Sequence, residues 1–237
     1  MLNSTPTVHS RPIDAPPVLE AADHLDQPTF HKRYESMPED FRAELIGGLV
    51  VVPSPLSRTH ARYHAQVIRW LGQYETRTPG TAVLDNVTVI LSPDTEVQPD
   101  ACITVEPCCG GQTRTDERDY VHGAPELVVE VASSSESYDV HDKLKRYEEA
   151  GVREYIVITI RQLQTYCFRL VGGQYMEQST DADGVYRSSV LPGLHLHAKA
   201  MLNLDWHTVE QCQARAFASS EHAAFVADLA SRRARSH

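Results

Sequence analysis

One carboxylate interrupts the most apolar stretch of the chain, and no other feature constrains the fold as much. Glu130 lies inside Leu127-Val128-Val129-Glu130-Val131-Ala132, which has the near-continuous apolar pattern of a strand covered on both faces. An uncompensated carboxylate in such a strand costs several kcal/mol, so Glu130 must meet a cation, a metal or a proton. An edge strand, or a simple buried pair with Lys or Arg, would also satisfy it.

Two other residues can be placed near it. Asp100 follows Pro99 and opens the alternating segment Ala101 to Val105; an Asp at a strand start can equally be a turn former. Lys143 falls on a helix expected from about Asp139 to Ala150 and ended by Gly151. The connection from the Glu130 strand is only about six residues, short enough to bring that helix back to the strand end. Asp139, Lys143 and Tyr147 are spaced i, i+4 and share a face. Lys145 lies about 200° around from Lys143 and should be solvated. Two carboxylates can hold Mg²⁺, which prefers oxygen ligands and keeps waters for a phosphate. A nearby Lys can then support the attacking water and the transition state.

The remaining pattern predicts an α/β domain on a mixed central β-sheet flanked by helices. Residues 1–30 read as a flexible tail, because Pro, Ser, Thr, His and Asp dominate them without an apolar period. The domain is expected over 31–204, and 205–237 as a helical or mobile C-terminal extension. Glu44 to Val52 reads as a strand pair about Gly47-Gly48. A helix from Arg58 to Tyr74 carries His60, His64, Val67, Leu71 and Tyr74 on one stripe, with Arg62, Arg69 and Gln73 opposite. Thr81 to Leu91 and Val97 to Val105 read as two strands joined by a turn at 92–95, and 106–124 as a loop. Further strands are expected at 154–160, 163–170 and near 174–179. The Arg232-Arg233-Ala234-Arg235 segment reads as a solvated terminus.

His60 and His64 form H-x-x-x-H, but zinc would need a third ligand, and a zinc protease would need Glu where the chain has Ala61. His64 reads as a helix-face histidine meeting a polar patch. The five cysteines show no C-x-x-C pair and read as free thiols in a reducing compartment. No apolar run approaches the roughly 20 residues of a membrane helix, and the expected location is the cytoplasm. A formal charge of −10 over 237 residues excludes a polybasic coat for duplex phosphate, though not an enzyme with one local groove.

The ordered set Glu44-Leu45-Ile46-Gly47-Gly48, Pro53-Ser54-Pro55 with His60, Pro99-Asp100, Pro125 to Val131, then Asp139, Lys143, Tyr147 and Ala150-Gly151-Val152 resembles the Uma2 family. That family groups bacterial restriction-endonuclease-like proteins of the PD-(D/E)XK fold, and the resemblance spans roughly Tyr34 to Leu202. It implies that Asp100 and Glu130 are the two metal-binding acids, and that Glu44 is the acid supplied by the first elements. The fold's usual Lys position, two residues after the acid, holds Ala132; the family draws its Lys from the following helix, which matches Lys143. His60 matches a family position suited to orienting Glu44 or a phosphate. The chain departs from the pattern at Ser133-Ser134, where Ser-Pro is usual, and at Ile156, where Trp is usual. The expected activity is Mg²⁺-dependent endonucleolytic hydrolysis of DNA, with Mn²⁺ as substitute, by a homodimer able to reach two strands. The competing expectation is a non-catalytic nucleic-acid-binding or protein-interaction module on the same fold.

Overall fold

The computed structural model describes residues 17–132 and 142–236. In chain order these form α1 (Gln27–Tyr34), β1 (Glu44–Ile46), β2 (Leu49–Val51), α2 (Arg58–Arg77), β3 (Thr81–Asp85), β4 (Val89–Ser92), β5 (Thr95–Val97) and β6 (Ala101–Val105). A 3₁₀ turn at Pro107–Cys109 leads to β7 (Arg114–Thr115), β8 (Val121–His122), β9 (Leu127–Ala132), α3 (Lys143–Ala150), β10 (Glu154–Thr159), β11 (Gln164–Val171) and β12 (Gln174–Glu177). The chain closes with β13 (Val185–Arg187), β14 (His195–His197), α4 (Ala198–Leu202), α5 (Trp206–Phe217) and α6 (Ser220–Arg235).

The Glu130 strand, β9, is central. It lies between β10, its parallel neighbour, and β6, its antiparallel one, in a mixed sheet ordered β12-β11-β10-β9-β6-β3. A strand buried on both sides must alternate between two cores, and β9 does. Leu127, Val129 and Val131 join the core that contains Tyr63, Val67, Trp70, Leu71 and Tyr74 of α2. Val128 and Ala132 join a second core with Tyr147 of α3 and with Ile46, Val89 and Val97 from the other sheet. By the same alternation Glu130 faces the second side, between the two sheets.

That other sheet runs β2-β1-β5-β4-β8-β7. Its origin corrects the expectation of two long strands over 81–91 and 97–105. Each run breaks and changes sheet, the first at 86–88 and the second at 98–100: β3 and β6 pair in the central sheet, β4 and β5 in the other. The break in the first run is Asn86, whose φ of 49° is left-handed, a conformation Asn tolerates better than most residues. The break in the second is Pro99, which cannot donate to a ladder. The two crossings are tied together by Asn86 N–H donating to Asp100 O at 3.4 Å.

Helix α2 begins at Ser57, whose hydroxyl accepts from His60 N–H at 3.1 Å, the N-cap arrangement. Its buried stripe is wider than the sequence stripe, adding Tyr63 and Trp70. Trp70 Nε1 donates to His195 O at 2.9 Å and to Gln213 Oε1 at 3.1 Å, which fastens the C-terminal region to α2. The C-terminal extension is helical over Trp206–Phe217 and Ser220–Arg235, and α6 is held by Arg233 on Glu106 at 2.5 Å. Arg232 pairs with Asp228 at 2.6 Å, so these arginines belong to a packed helix and not to a loose terminus.

At the other end the described chain begins inside the expected tail. Leu19 and Phe30 are buried with Leu45 and Val50, and Ala22 and Leu25 donate to Val50 O and Gly48 O. Residues from Pro17 onward therefore cover the β1–β2 hairpin. The β13–β14 hairpin was not expected from sequence, and β7 and β8 occupy the region read as a loop. The five cysteines are free thiols. Among the described residues, no helix is long and apolar enough to cross a membrane.

Candidate active site

Four elements converge on the space between the sheets. β9 supplies Glu130, β1 supplies Glu44, the β5–β6 crossing supplies Asp100, and the first turn of α3 supplies Lys143. Gly151, with a φ of 89°, ends α3 by donating to Tyr147 O and Glu148 O. This left-handed cap turns the chain straight into β10, so α3 lies back across the sheet with Lys143 and Tyr147 buried on its inner face.

Lys143 Nζ sits 2.9 Å from Glu130 Oε1 and 3.0 Å from Glu44 Oε1. Tyr147 OH donates to the same Glu130 oxygen at 2.9 Å. Glu44 Oε1 also accepts from Gln98 N–H at 2.7 Å. Residue exposures are 8% for Glu44, 4% for Glu130 and 5% for Lys143, so this is a buried ion cluster. The compensation demanded by the apolar run is therefore an ammonium held between two carboxylates. Lys145 has a side chain 65% exposed, against 7% for Lys143; the helical-face reading separates them correctly.

Asp100 is locked to β9 by a reciprocal exchange. Val131 N–H donates to Asp100 Oδ2 at 2.7 Å, and Asp100 N–H donates to Glu130 Oε2 at 3.4 Å. His60 Nε2 lies 3.3 Å from Asp100 Oδ2, so the structure sets His60 against Asp100. His64 Nε2 is 2.7 Å from Asp100 O and 3.1 Å from Asp85 Oδ1. Sequence reasoning missed Asp85 and the Gln98 amide as parts of this site. Neither carries a local signal, because each arrives through the sheet crossing. Asp139 and Ser133-Ser134 lie outside the described residues.

Burial pushes the Asp100 carboxyl up, but the His60 hydrogen bond and charge, the Val131 N–H and the Lys143 charge together hold it below its ordinary value. Burial, with the Glu130 and Glu126 carboxylates, pushes the neighbouring Cys102 thiol up to about 12. Glu126, also fully buried, is a structural acid: its carboxylate accepts from Val105 N–H at 2.7 Å and Gln112 N–H at 3.2 Å.

A lowered carboxyl pKa stabilises the fold above the unfolded value, and that contribution is lost as pH falls through the folded value. Asp100→Asn should therefore be less stable than the natural protein at neutral pH. The gap should close as the pH falls below about 4, where an unfolded Asp is protonated. Denaturant midpoints of both proteins across this range check it; a gap that stays constant into acid would show that the Asp100 charge is not its source.

The donor chemistry fits a divalent cation. Asp100 Oδ1 makes no hydrogen bond among the described residues while Oδ2 is fixed by Val131 and His60. Glu130 beside it, and Glu44 on the other side of Lys143, offer hard carboxylate oxygens, the ligand type Mg²⁺ and Mn²⁺ take. The group around Asp100 that brings three ligand atoms within 4.8 Å of one another among the described residues is Asp100 with His60 and His64.

Two six-stranded sheets flanked by helices, with a carboxylate–lysine cluster between them, define a protein of the restriction-endonuclease-like α/β class. The fold matches the crystal structure of "a putative nuclease belonging to DUF820" from Anabaena variabilis with a TM-score of 0.59 and 15% identity, covering 73% of this chain and 96% of that one. The chain belongs to the Uma2 family, described as "Putative restriction endonuclease", which it matches over residues 28–200. A stretch of 68 residues is 32% identical to the heat-labile enterotoxin B chain of Escherichia coli, covering 27% of this chain. That match covers only 55% of the toxin chain, about half the length of this curated relative.

Proposed function

We propose that this protein is a metal-dependent endonuclease that hydrolyses DNA phosphodiester bonds. The observation that carries the reading is Lys143, buried between Glu44 and Glu130 and beside Asp100. A structural ion pair needs one carboxylate; this ammonium has two, with a third acid held next to them by backbone bonds.

Glu44, Asp100 and Glu130 would hold Mg²⁺, or Mn²⁺ in its place, through carboxylate oxygens. The bound ion supplies neutralisation of phosphodiester charge and a lowered pKa for a coordinated water. Lys143 Nζ, held by Glu44 and Glu130, would donate to the attacking water or to a phosphate oxygen. Tyr147 fixes the Glu130 oxygen that Lys143 also holds, so the acid cannot swing away when charge in the site changes. His60 orients Asp100. A homodimer would place two such sites on the two strands of a duplex.

Cleavage of a generic duplex and a generic single strand, assayed in millimolar Mg²⁺ and Mn²⁺, tests the reading. The natural protein should cut in metal, EDTA should abolish cutting, and Asp100→Asn should fall by at least about 10²-fold. No cutting by the natural protein with either metal would overturn the endonuclease and leave a binding module on this fold. The overall charge of −10 is the feature that favours this second reading.

A further inference from the structure

The pair His60 and His64 lacked a third metal ligand in the sequence, and the folded chain provides one. A ring nitrogen of each imidazole and a carboxylate oxygen of Asp100 lie within 4.8 Å of one another. We propose that His60, His64 and Asp100 form a site for a borderline transition ion of the Zn²⁺ or Co²⁺ class, so that this protein prefers such an ion to Mg²⁺. The inference rests on the nuclease reading only in taking Asp100 as a metal ligand, and needs no DNA cleavage.

Three observations carry it. The first is spacing. Residues four apart on a helix stand one above the other on one face, so α2, capped and rigid from Ser57, presents both imidazoles toward the β5–β6 crossing. The 3.3 Å between His60 Nε2 and Asp100 Oδ2 is close to the roughly 3.4 Å edge of a tetrahedron whose metal–ligand bonds are about 2.1 Å.

The second is donor type. Imidazole suits Zn²⁺ and its neighbours, whereas Mg²⁺ is served by carboxylate, carbonyl and water. Two histidines and one carboxylate, with a fourth position left for water, are the donor set of an open zinc site. Asp100 is the hinge of the arrangement: its Oδ2 faces His60 and accepts from Val131 N–H, which ties the imidazole pair to β9.

The third is support and access. Ligating histidines are usually held by a carboxylate or carbonyl outside the metal's own ligands. Asp85 Oδ1 lies 3.1 Å and the Asp100 carbonyl 2.7 Å from His64 Nε2, so Nδ1 is the nitrogen this ring would give to an ion. The Asp85 side chain is 56% exposed while that of His60 is 5% exposed. An ion would therefore enter past Asp85 and reach a buried imidazole.

The test uses the full chain, stripped of metal with EDTA and dialysed. Calorimetric titrations with Co²⁺, Zn²⁺ and Mg²⁺ alone are compared, and the visible d–d absorption of bound Co²⁺ is recorded. Co²⁺ and Zn²⁺ should each bind at least about tenfold more tightly than Mg²⁺, the smallest change expected around a metal site. His64→Gln should lose that advantage and the Co²⁺ absorption while its Mg²⁺ affinity stays unchanged. His60→Ala should do the same; because His60 is buried, its fold is checked by near-ultraviolet circular dichroism and His64→Gln decides if it fails to fold. Glu44→Gln should leave the Co²⁺ spectrum intact. Equal affinities for the three ions, or a Co²⁺ spectrum unchanged in His64→Gln, would overturn the proposal and show a His60–Asp100 ion pair only. Mg²⁺-dependent DNA cleavage alongside either result would leave the nuclease reading standing. Co²⁺ binding as expected, with no cleavage in any metal, would remove that reading and keep this one.

Discussion

Lys143→Met should destabilise the protein by about 3–5 kcal/mol at neutral pH, the cost of leaving buried charge without its partner. Methionine keeps most of the volume and helix propensity of lysine, so the loss reports charge. Glu44 and Glu130 would then face each other across an apolar gap at 8% and 4% exposure. Gln98 N–H on Glu44, and Tyr147 OH and Asp100 N–H on Glu130, are neutral donors and cannot neutralise two carboxylates. The pair would respond by taking up a proton, so much of the lost stability should return in acid. A divalent cation should restore stability as well, because it replaces the missing ammonium. Urea denaturation of the natural protein, Lys143→Met and Glu44→Gln/Lys143→Met, with and without Mg²⁺, checks this. The double variant should recover part of the loss, and Lys145→Ala should stay within about 0.5 kcal/mol of the natural protein. A Lys143→Met protein as stable as its parent would mean that Lys143 is not buried between the acids.

Glu130→Gln should separate chemistry from folding. The amide oxygen can still accept from Lys143 and Tyr147, and Lys143 keeps Glu44 at 3.0 Å. The stability cost should therefore be about 1–2 kcal/mol, the difference between a charged and a neutral hydrogen bond. Cleavage should drop by at least about 10²-fold, since an amide is a poor ligand for a hard cation. Single-turnover cleavage in Mn²⁺ together with apo-protein denaturation decides it. Unchanged cleavage would remove Glu130 from the chemistry. A loss of several kcal/mol with no metal-binding defect would make it a structural partner of Lys143.

The centre of this site was legible because burial and charge conflict within one short segment. An apolar run with a single acid demands compensation, and α3 is bound to return near that strand because the connection is short and Gly151 stops the helix. The helical angle between Lys143 and Lys145 then separates the buried lysine from the solvated one. What stayed hidden depends on the sheet crossings. The runs 81–91 and 97–105 look continuous because strand propensity is local, whereas a change of sheet is decided by packing across the whole molecule. Asn86 and Pro99 were visible as residues but not as joints. The roles of Asp85, Gln98 and the imidazoles follow from those joints, as does the placing of His60 on Asp100. The N-terminal boundary slipped for another reason: Leu19 and Phe30 are isolated apolar residues in polar surroundings, and their burial is explained by the apolar face of the hairpin they cover.

The paired crossings also bear on how the chain finds its structure. β3 through β6 form one ribbon folded back on itself, from Val89 beside Val97 to Thr81 beside Val105. Its contacts are short in sequence, so the loop entropy of closing it is small, and it can assemble before the parallel β9–β10 pairing, which must wait for the α3 crossover. The ribbon's two bends would then be set early, one at Asn86 and the other beside Asp100. An early ribbon acts as a template on which β9 docks through Ala101, Cys102 and Ile103. Substitutions at Asn86 or Pro99 should therefore slow refolding more than they speed unfolding.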